Sequence, residues 1–338
     1  MTPFWLLVSF RLREIRRLPV ALVYFGLPLI LMLTSALVFG GGHPFWRRNV
    51  AVVGDAVPER VATALAPFEE VRAIACPTEP IARRRLLSGS VDAVWVPGAP
   101  DRAAPDRVVC GTRHRLLGRA LAQALQARIE EVPIDAAAYL RFLFPGLVTW
   151  TILIDGLLGM GYALVYTRRN QFLKKLATTP TSPAVFVGAH ILGRSILALA
   201  QIAVMTGVAS LAFGLPLAAS SVPAFLVVVA LGLGTFMAFG FALASAITVE
   251  TVFVDVVNAS TVVLLLVSEV FFSVDAMPAW LGAVSAWLPS TQLVRLLRLI
   301  VLDGVTAPGL LVPGVAGLAA WAVVMLALAV RTFRWYEN

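Results

Sequence analysis

Lysine is almost missing from this 338-residue chain: Lys174 and Lys175 are the two copies, and arginine supplies most of the net charge of +8. Phe172 and Leu173 precede that pair, whereas a phosphate-cradling P-loop needs its lysine directly after a glycine. The chain is therefore no P-loop ATPase, and if ATP drives it a partner must hydrolyse it. Histidine is scarce as well. His43, His114 and His190 lie far apart and read as structural or solvated groups, and neither Gly-x-Ser-x-Gly nor His-Glu-x-x-His occurs. No catalytic constellation and no enzyme activity of the chain's own is expected. The two cysteines, Cys76 and Cys110, form no CxxC, so no zinc or other metal site is expected. Charged residues make up 14% of the chain, where a soluble domain carries about a quarter. No basic nucleic-acid motif stands out, and positive charge in so apolar a chain sets membrane topology.

What the chain has instead is long apolar runs; 59% of its residues are hydrophobic. A membrane-crossing helix needs about 20 such residues, and six segments qualify: 20–40, 143–166, 187–213, 223–247, about 256–274, and 309–330. The run at 18–40 is too long for the apolar core of a signal peptide and no clear cleavage site follows it, so it reads as a retained span. Between the first two spans, residues 41–138 are polar. Strand-like runs at 48–55, 70–76, 91–97 and 106–111 alternate with helical spacing at 57–68, 79–90 and 113–131, the pattern of a small α/β domain. Cys76 and Cys110 both fall in this domain. They are either a disulfide, if the domain faces an oxidising compartment, or two free buried thiols.

Short loops and ends orient the chain. Arg11, Arg13, Arg16 and Arg17 precede the first span, Arg168, Arg169, Lys174 and Lys175 follow the second, and Arg331 and Arg334 follow the last, while 214–222 has no basic residue. The positive-inside rule puts both termini and the 167–186 loop in the cytoplasm and the polar domain outside. In residues 1–19, Phe4, Leu7, Val8 and Ile15 oppose the arginine face at helical spacing, which predicts a helix lying in the membrane interface. Residues 275–304 are broken by Pro278 and Pro289 and carry Arg295 and Arg298, which suits a dip into the outer leaflet better than a span.

Acids near or in the membrane are costly and need a reason. Asp155 falls near the middle of the second span, as a substrate-path or proton-relay group or as an interhelical hydrogen-bonding one. Glu269, near the outer end of the fifth span, is placed to pair with Arg295 or Arg298. Glu250 and Asp255 flank the inner turn before that span. Gly159, Gly161, Gly232, Gly234 and Gly240 read as points of close helix approach.

The stretch RRNQFLKKLATTPTSPAVFVGAHILGRS, from Arg168 to Ser195, resembles the cytoplasmic coupling segment of ABC transporter permeases of the type-2 exporter family. Leu176, Thr179, Pro180 and Gly188 match that pattern, whereas the usual glutamate before the arginine is replaced by Thr167. The basic amphipathic start resembles the family's connecting helix, residues 277–298 its re-entrant region, and the polar insert that of the subgroup with a large loop between the first two spans. The resemblance implies an all-α membrane core of six transmembrane helices, with an amphipathic N-terminal helix, a re-entrant segment at about 275–304 before the last helix, and an inserted small α/β extracytoplasmic domain.

It further implies a permease subunit of an ATP-driven exporter in a bacterial inner membrane. A coupling helix at about 168–180 would dock on a separate ATP-binding subunit, which holds the ATP and Mg. Arg169, Lys174 and Lys175 would face acidic groups there, with Phe172, Leu173 and Leu176 in its groove. A second permease subunit, as a homodimer, membrane lipid and a periplasmic adaptor are the other implied partners. The cargo expected is hydrophobic or amphipathic: a drug, natural product or lipid. Two other readings stay open: an ion-coupled secondary transporter using Asp155 and Glu269, and a membrane-anchored sensor whose outer domain is the receptor.

Overall fold

The structure, a computed structural model, describes residues 48–68, 71–87, 91–98, 105–133, 138–169, 183–215, 217–270 and 279–332, together with nine helical positions between 4 and 34. The expected arginine face of the N-terminal helix (Arg11, Arg13, Arg16, Arg17), most of the first span at 20–40 and the coupling positions 170–182 lie outside the described residues.

The polar insert is a five-stranded sheet with helices on both faces. Its elements are β1 (Arg48–Val53), α1 (Glu59–Leu65), β2 (Val71–Cys76), α2 (Glu79–Leu87), β3 (Ala93–Val96), β4 (Arg107–Gly111), α3 (Arg115–Ala124) and β5 (Arg128–Val132). The strand order is β2-β1-β3-β4-β5. β1 runs parallel to β2 and β3, β4 is antiparallel to β3, and β5 is parallel to β4. Alternating residues divide between the two faces. Val50, Val52, Trp95, Val108 and Cys110 pack against α1 and α3. Ala51, Cys76, Val94, Val96 and Val109 pack against α2.

Two sequence expectations are corrected here. The helix predicted over 113–131 stops at Ala124, because Gln126 takes a left-handed turn at φ 50° and Arg128–Val132 then pairs with β4. No glycine marks that turn, so the Ala- and Leu-rich run gave no stop signal. The disulfide alternative for Cys76 and Cys110 fails. Both thiols are free and buried, they face opposite sides of the sheet, and β2 and β4 are three strand steps, about 14 Å, apart. Burial pushes both thiols above their ordinary pKa, against a partial counter-pull from Arg85 on Cys76.

The rest of the described chain is helical. α4 (Ala138–Ile154), a six-residue π-helical segment (Asp155–Met160) and α5 (Gly161–Arg169) run on as one long element. α6 (Pro183–Phe213), α7 (Val222–Ala246), α8 (Glu250–Val267), α9 (Ala279–Trp287), α10 (Pro289–Val301) and α11 (Pro308–Thr332) follow. Among the described residues, five helices are long and apolar enough to cross a membrane: Leu140–Arg169, Val187–Phe213, Ala219–Ala246, Glu250–Val267 and Pro308–Thr332. These fall on the second to sixth runs of the sequence. The fifth begins six residues earlier than expected and ends by Val267, where Ser268 turns extended.

The Leu140–Arg169 element is the most enclosed, with 83% of its apolar window buried. Small residues explain how its neighbours come so near. A Cβ on Gly156 would overlap Phe236 on α7, one on Gly240 would overlap the Gly156 carbonyl, and one on Gly161 would overlap Phe253 on α8. Gly232 makes room for Leu293 on α10, whereas Gly234 has open space. The π-turn sits at this crossing, and Gly156, Gly159 and Gly161 lie in it or directly after it.

In the sheet domain, Gly118 of α3 lies hard against the Cys110 sulfur. Gly118→Ala is expected to cost about 1–3 kcal/mol by overpacking. Pulse proteolysis of residues 48–132 in the full chain reads it, and Cys110→Ala should recover part of the loss.

Candidate functional site

Three polar groupings lie along the helices, and the first is at the end remote from the sheet domain. Arg169 closes α5, and its Nη1 pairs with Glu250 Oε2 at 2.5 Å. The Tyr162 hydroxyl donates to Glu250 Oε1 at 2.8 Å, and Tyr162 stacks on Tyr166 at a centroid distance of 5.9 Å. Arg168 donates to the Ala244 carbonyl at 2.7 Å, and Thr167 turns inward onto the Ala163 and Leu164 carbonyls. The last turn of α5, from which the 170–182 segment departs, is thus fastened to the end of α7 and the start of α8. Sequence reasoning missed this partnership, because Tyr162 and Glu250 stand 88 positions apart and no periodicity links them.

The second grouping is Asp155 with its surroundings. Asp155 opens the π segment and is 4% exposed, and its Oδ2 has no partner among the described residues. His190 is buried, with Nε2 3.2 Å from the carbonyl of Gly159, four residues after Asp155. Gly159 lies against the Arg194 guanidinium.

The third grouping lies at the sheet-domain end. Glu269 accepts from Arg295 Nε at 3.0 Å and Nη2 at 2.8 Å, and from Arg298 Nη1 at 3.4 Å. Arg298 also donates to the Glu269 carbonyl at 2.7 Å, and its guanidinium lies 4.1 Å from the centre of the Phe142 ring. Expected as a partner of Arg295 or Arg298, Glu269 is a partner of both. It holds α10 to the end of α8, and Arg298 in turn reaches α4.

Of the remaining expected site residues, Phe172, Leu173, Lys174, Lys175, Leu176, Thr179 and Pro180 lie outside the described residues. His114 pairs with Asp92 at 3.1 Å in the sheet domain. Among the described residues no group of His, Cys, Asp and Glu stands together as a metal site.

Removing the Glu269 carboxylate takes a counter-charge from the nearly buried Arg298, which keeps the position-269 carbonyl and the Phe142 ring. Breaking one side of such a pair costs about 3–5 kcal/mol. Glu269→Ala is expected to lower the thermal midpoint of the detergent-purified chain sharply. An unchanged midpoint contradicts the role given to this cluster.

The model of the ABC-2 type transporter family matches residues 116–302, more than half of the chain. The match runs from the first turn of α3 to the end of α10, and so takes in all three groupings. No curated protein matches the chain. Together with its five membrane-length helices, the match makes this chain a multi-pass membrane protein that belongs to the ABC-2 type transporter family, as a permease component that is not itself catalytic.

Proposed function

We propose that this chain is the permease subunit of an ATP-driven exporter, in which a separate ATP-binding subunit hydrolyses ATP with Mg and docks on the 168–180 segment. The observation that carries this reading is the Arg169–Glu250–Tyr162 knot. A segment that receives force from an ATPase must be fastened to the membrane helices at its root, and this one leaves the last turn of α5 where that turn is tied to α8. ATP-driven closure of two ATPases then moves α5 and α8 together, a lever between two packed states. The basic residues of the segment orient it to the cytoplasm of a bacterial inner membrane, with both termini on that side and the sheet domain outside.

The polar face of α8 supports pairing with a second permease subunit. Asp255 and Asn258 are exposed inside this span, not on the turn before it, and they point away from the buried Phe253, Val257 and Thr261. A carboxylate facing hydrocarbon costs about 2.5–3.5 kcal/mol, so this face is covered by protein or water. A second copy whose α8 faces the first provides both, with the cargo path between them. The apolar walls of the spans favour a hydrophobic or amphipathic cargo. The short helices α9 and α10 fit a re-entrant hairpin. The Trp287 carbonyl at its turn accepts from Trp321 midway along α11, while Gln292 and Leu296 climb back past Gly317 and Gly314. The ion-coupled reading is supported by one observation, the Asp155 Oδ2 without a partner among the described residues, while Glu269 is engaged with Arg295 and Arg298.

Phe172→Asp with Leu173→Asp is expected to abolish ATP-dependent export and release the ATPase while leaving the permease folded. Full transport by the double variant contradicts the docking role. Asn258→Cys should cross-link two copies on mild oxidation, whereas Val324→Cys on the exposed face of α11 should not. The reverse pattern places the subunit interface on α11.

A further inference from the structure

The sheet domain touches the membrane helices at a second place besides its chain connection to α4. Arg84 and Arg85, consecutive residues of α2, converge on one residue of the α10–α11 corner. Arg84 Nη1 donates to the Asp303 carbonyl, and Arg85 Nη2 pairs with Asp303 Oδ2 at 3.1 Å. Asp303 is 5% exposed, so this pair is shielded from water. The corner is built to receive it. Gly304 takes φ +63°, which ends α10 in a left-handed turn, and a Cβ there would overlap the Arg84 guanidinium. The Asp303 and Val305 amides donate back to the Arg298 and Leu299 carbonyls, which stiffens the turn.

From the corner the contacts continue inward. Arg298, one turn before Asp303, is held by Glu269 at the end of α8 and by the Phe142 ring on α4. Arg85 also donates to Cys76 at the end of β2, which links the latch to the sheet itself. Burial pushes the Asp303 carboxyl above the usual carboxylate range, with Arg85, Arg84 and Arg298 pulling it back, while Asp303 holds the Arg85 guanidinium above its ordinary value against burial.

We propose that Arg84, Arg85 and Asp303 form a latch that makes the sheet domain and the α10–α11 corner one mechanical unit, so that displacing the domain displaces the ends of α8, α10 and α11. Besides its chain links to the preceding segment and to α4, the domain is held among the described residues at this corner. It cannot turn on its connection to α4 without either opening the latch or dragging the corner. A partner that grips the sheet domain therefore acts on the outer ends of the spans, and motion of the spans reaches such a partner. This goes beyond the exporter reading, because the latch is a property of the chain alone.

Hydrogen exchange of the full chain in lipid nanodiscs tests it, with transport as a second readout. Asp303→Arg places three arginines together. It should speed exchange in α2 and in residues 298–307 by at least about tenfold and leave α3 protected. It should also lower transport by a similar factor. Arg85→Asp combined with Asp303→Arg should restore both. If the single variant also loses protection in α3, Arg84→Gln with Arg85→Gln removes the latch without repulsion, and the same two regions should loosen. Unchanged exchange overturns the latch. Faster exchange with unchanged transport overturns its mechanical role and leaves the domain a passenger. If the native chain shows no ATP-dependent transport, the exporter reading fails while exchange in the swap series still decides the latch.

Discussion

A charge at the edge of a membrane must find a partner, because hydrocarbon offers none and an uncompensated buried ion costs several kcal/mol. In this chain the constraint falls hardest on Glu269. Its carboxylate and carbonyl together hold two arginines of α10, and one of those arginines rests on Phe142 of α4. The short helix α10 is thereby fixed to the end of α8 and to α4. The corner that follows α10 inherits its position from this cluster, and the sheet domain is held by that corner through Arg84 and Arg85. At the opposite end Arg169, Glu250 and Tyr162 form a second, more exposed knot. The protein is thus fastened at both ends by ion pairs and packed in between by glycine.

The packing between the ends explains why two elements so different in appearance serve one span. The Leu140–Arg169 element is enclosed by α6, α7, α8 and α10, and Gly156, Gly159 and Gly161 let Phe236, Arg194 and Phe253 come close to its π-turn. By contrast, 11% of the apolar window of α11 is buried. That helix shows most of its apolar surface outward, as a lipid-facing helix does, whereas α8 shows Asp255 and Asn258 beside exposed Val252, Val262, Val263 and Leu266.

Much of this was legible in the sequence, for identifiable reasons. Apolar runs near 20 residues gave the second to sixth spans, and alternation in AVVGD and VDAVWVP gave strands. Both signals are local and periodic. The end of α3 at Ala124 was not legible, because Gln126 makes a turn that sequence assigns to glycine or asparagine. The pairing of Glu269 with Arg295 or Arg298 could be read because the partners are at most 29 positions apart. The latch between Arg85 and Asp303 spans 218 positions, and the Arg169–Glu250 pair spans 81. Such contacts are created by the fold and leave no pattern in the chain. Asp255 was read as a turn residue, because its place on the outward face of α8 depends on where that helix begins.

The most direct test of the central claim, that this permease is driven through its cytoplasmic segment by a separate ATPase, is to purify the chain gently from its native membrane and identify what accompanies it. An ATP-binding subunit in stoichiometric amount, whose ATPase activity responds to the permease, is the predicted result. A chain that purifies alone and still moves cargo down an ion gradient without ATP contradicts it, and directs attention to Asp155.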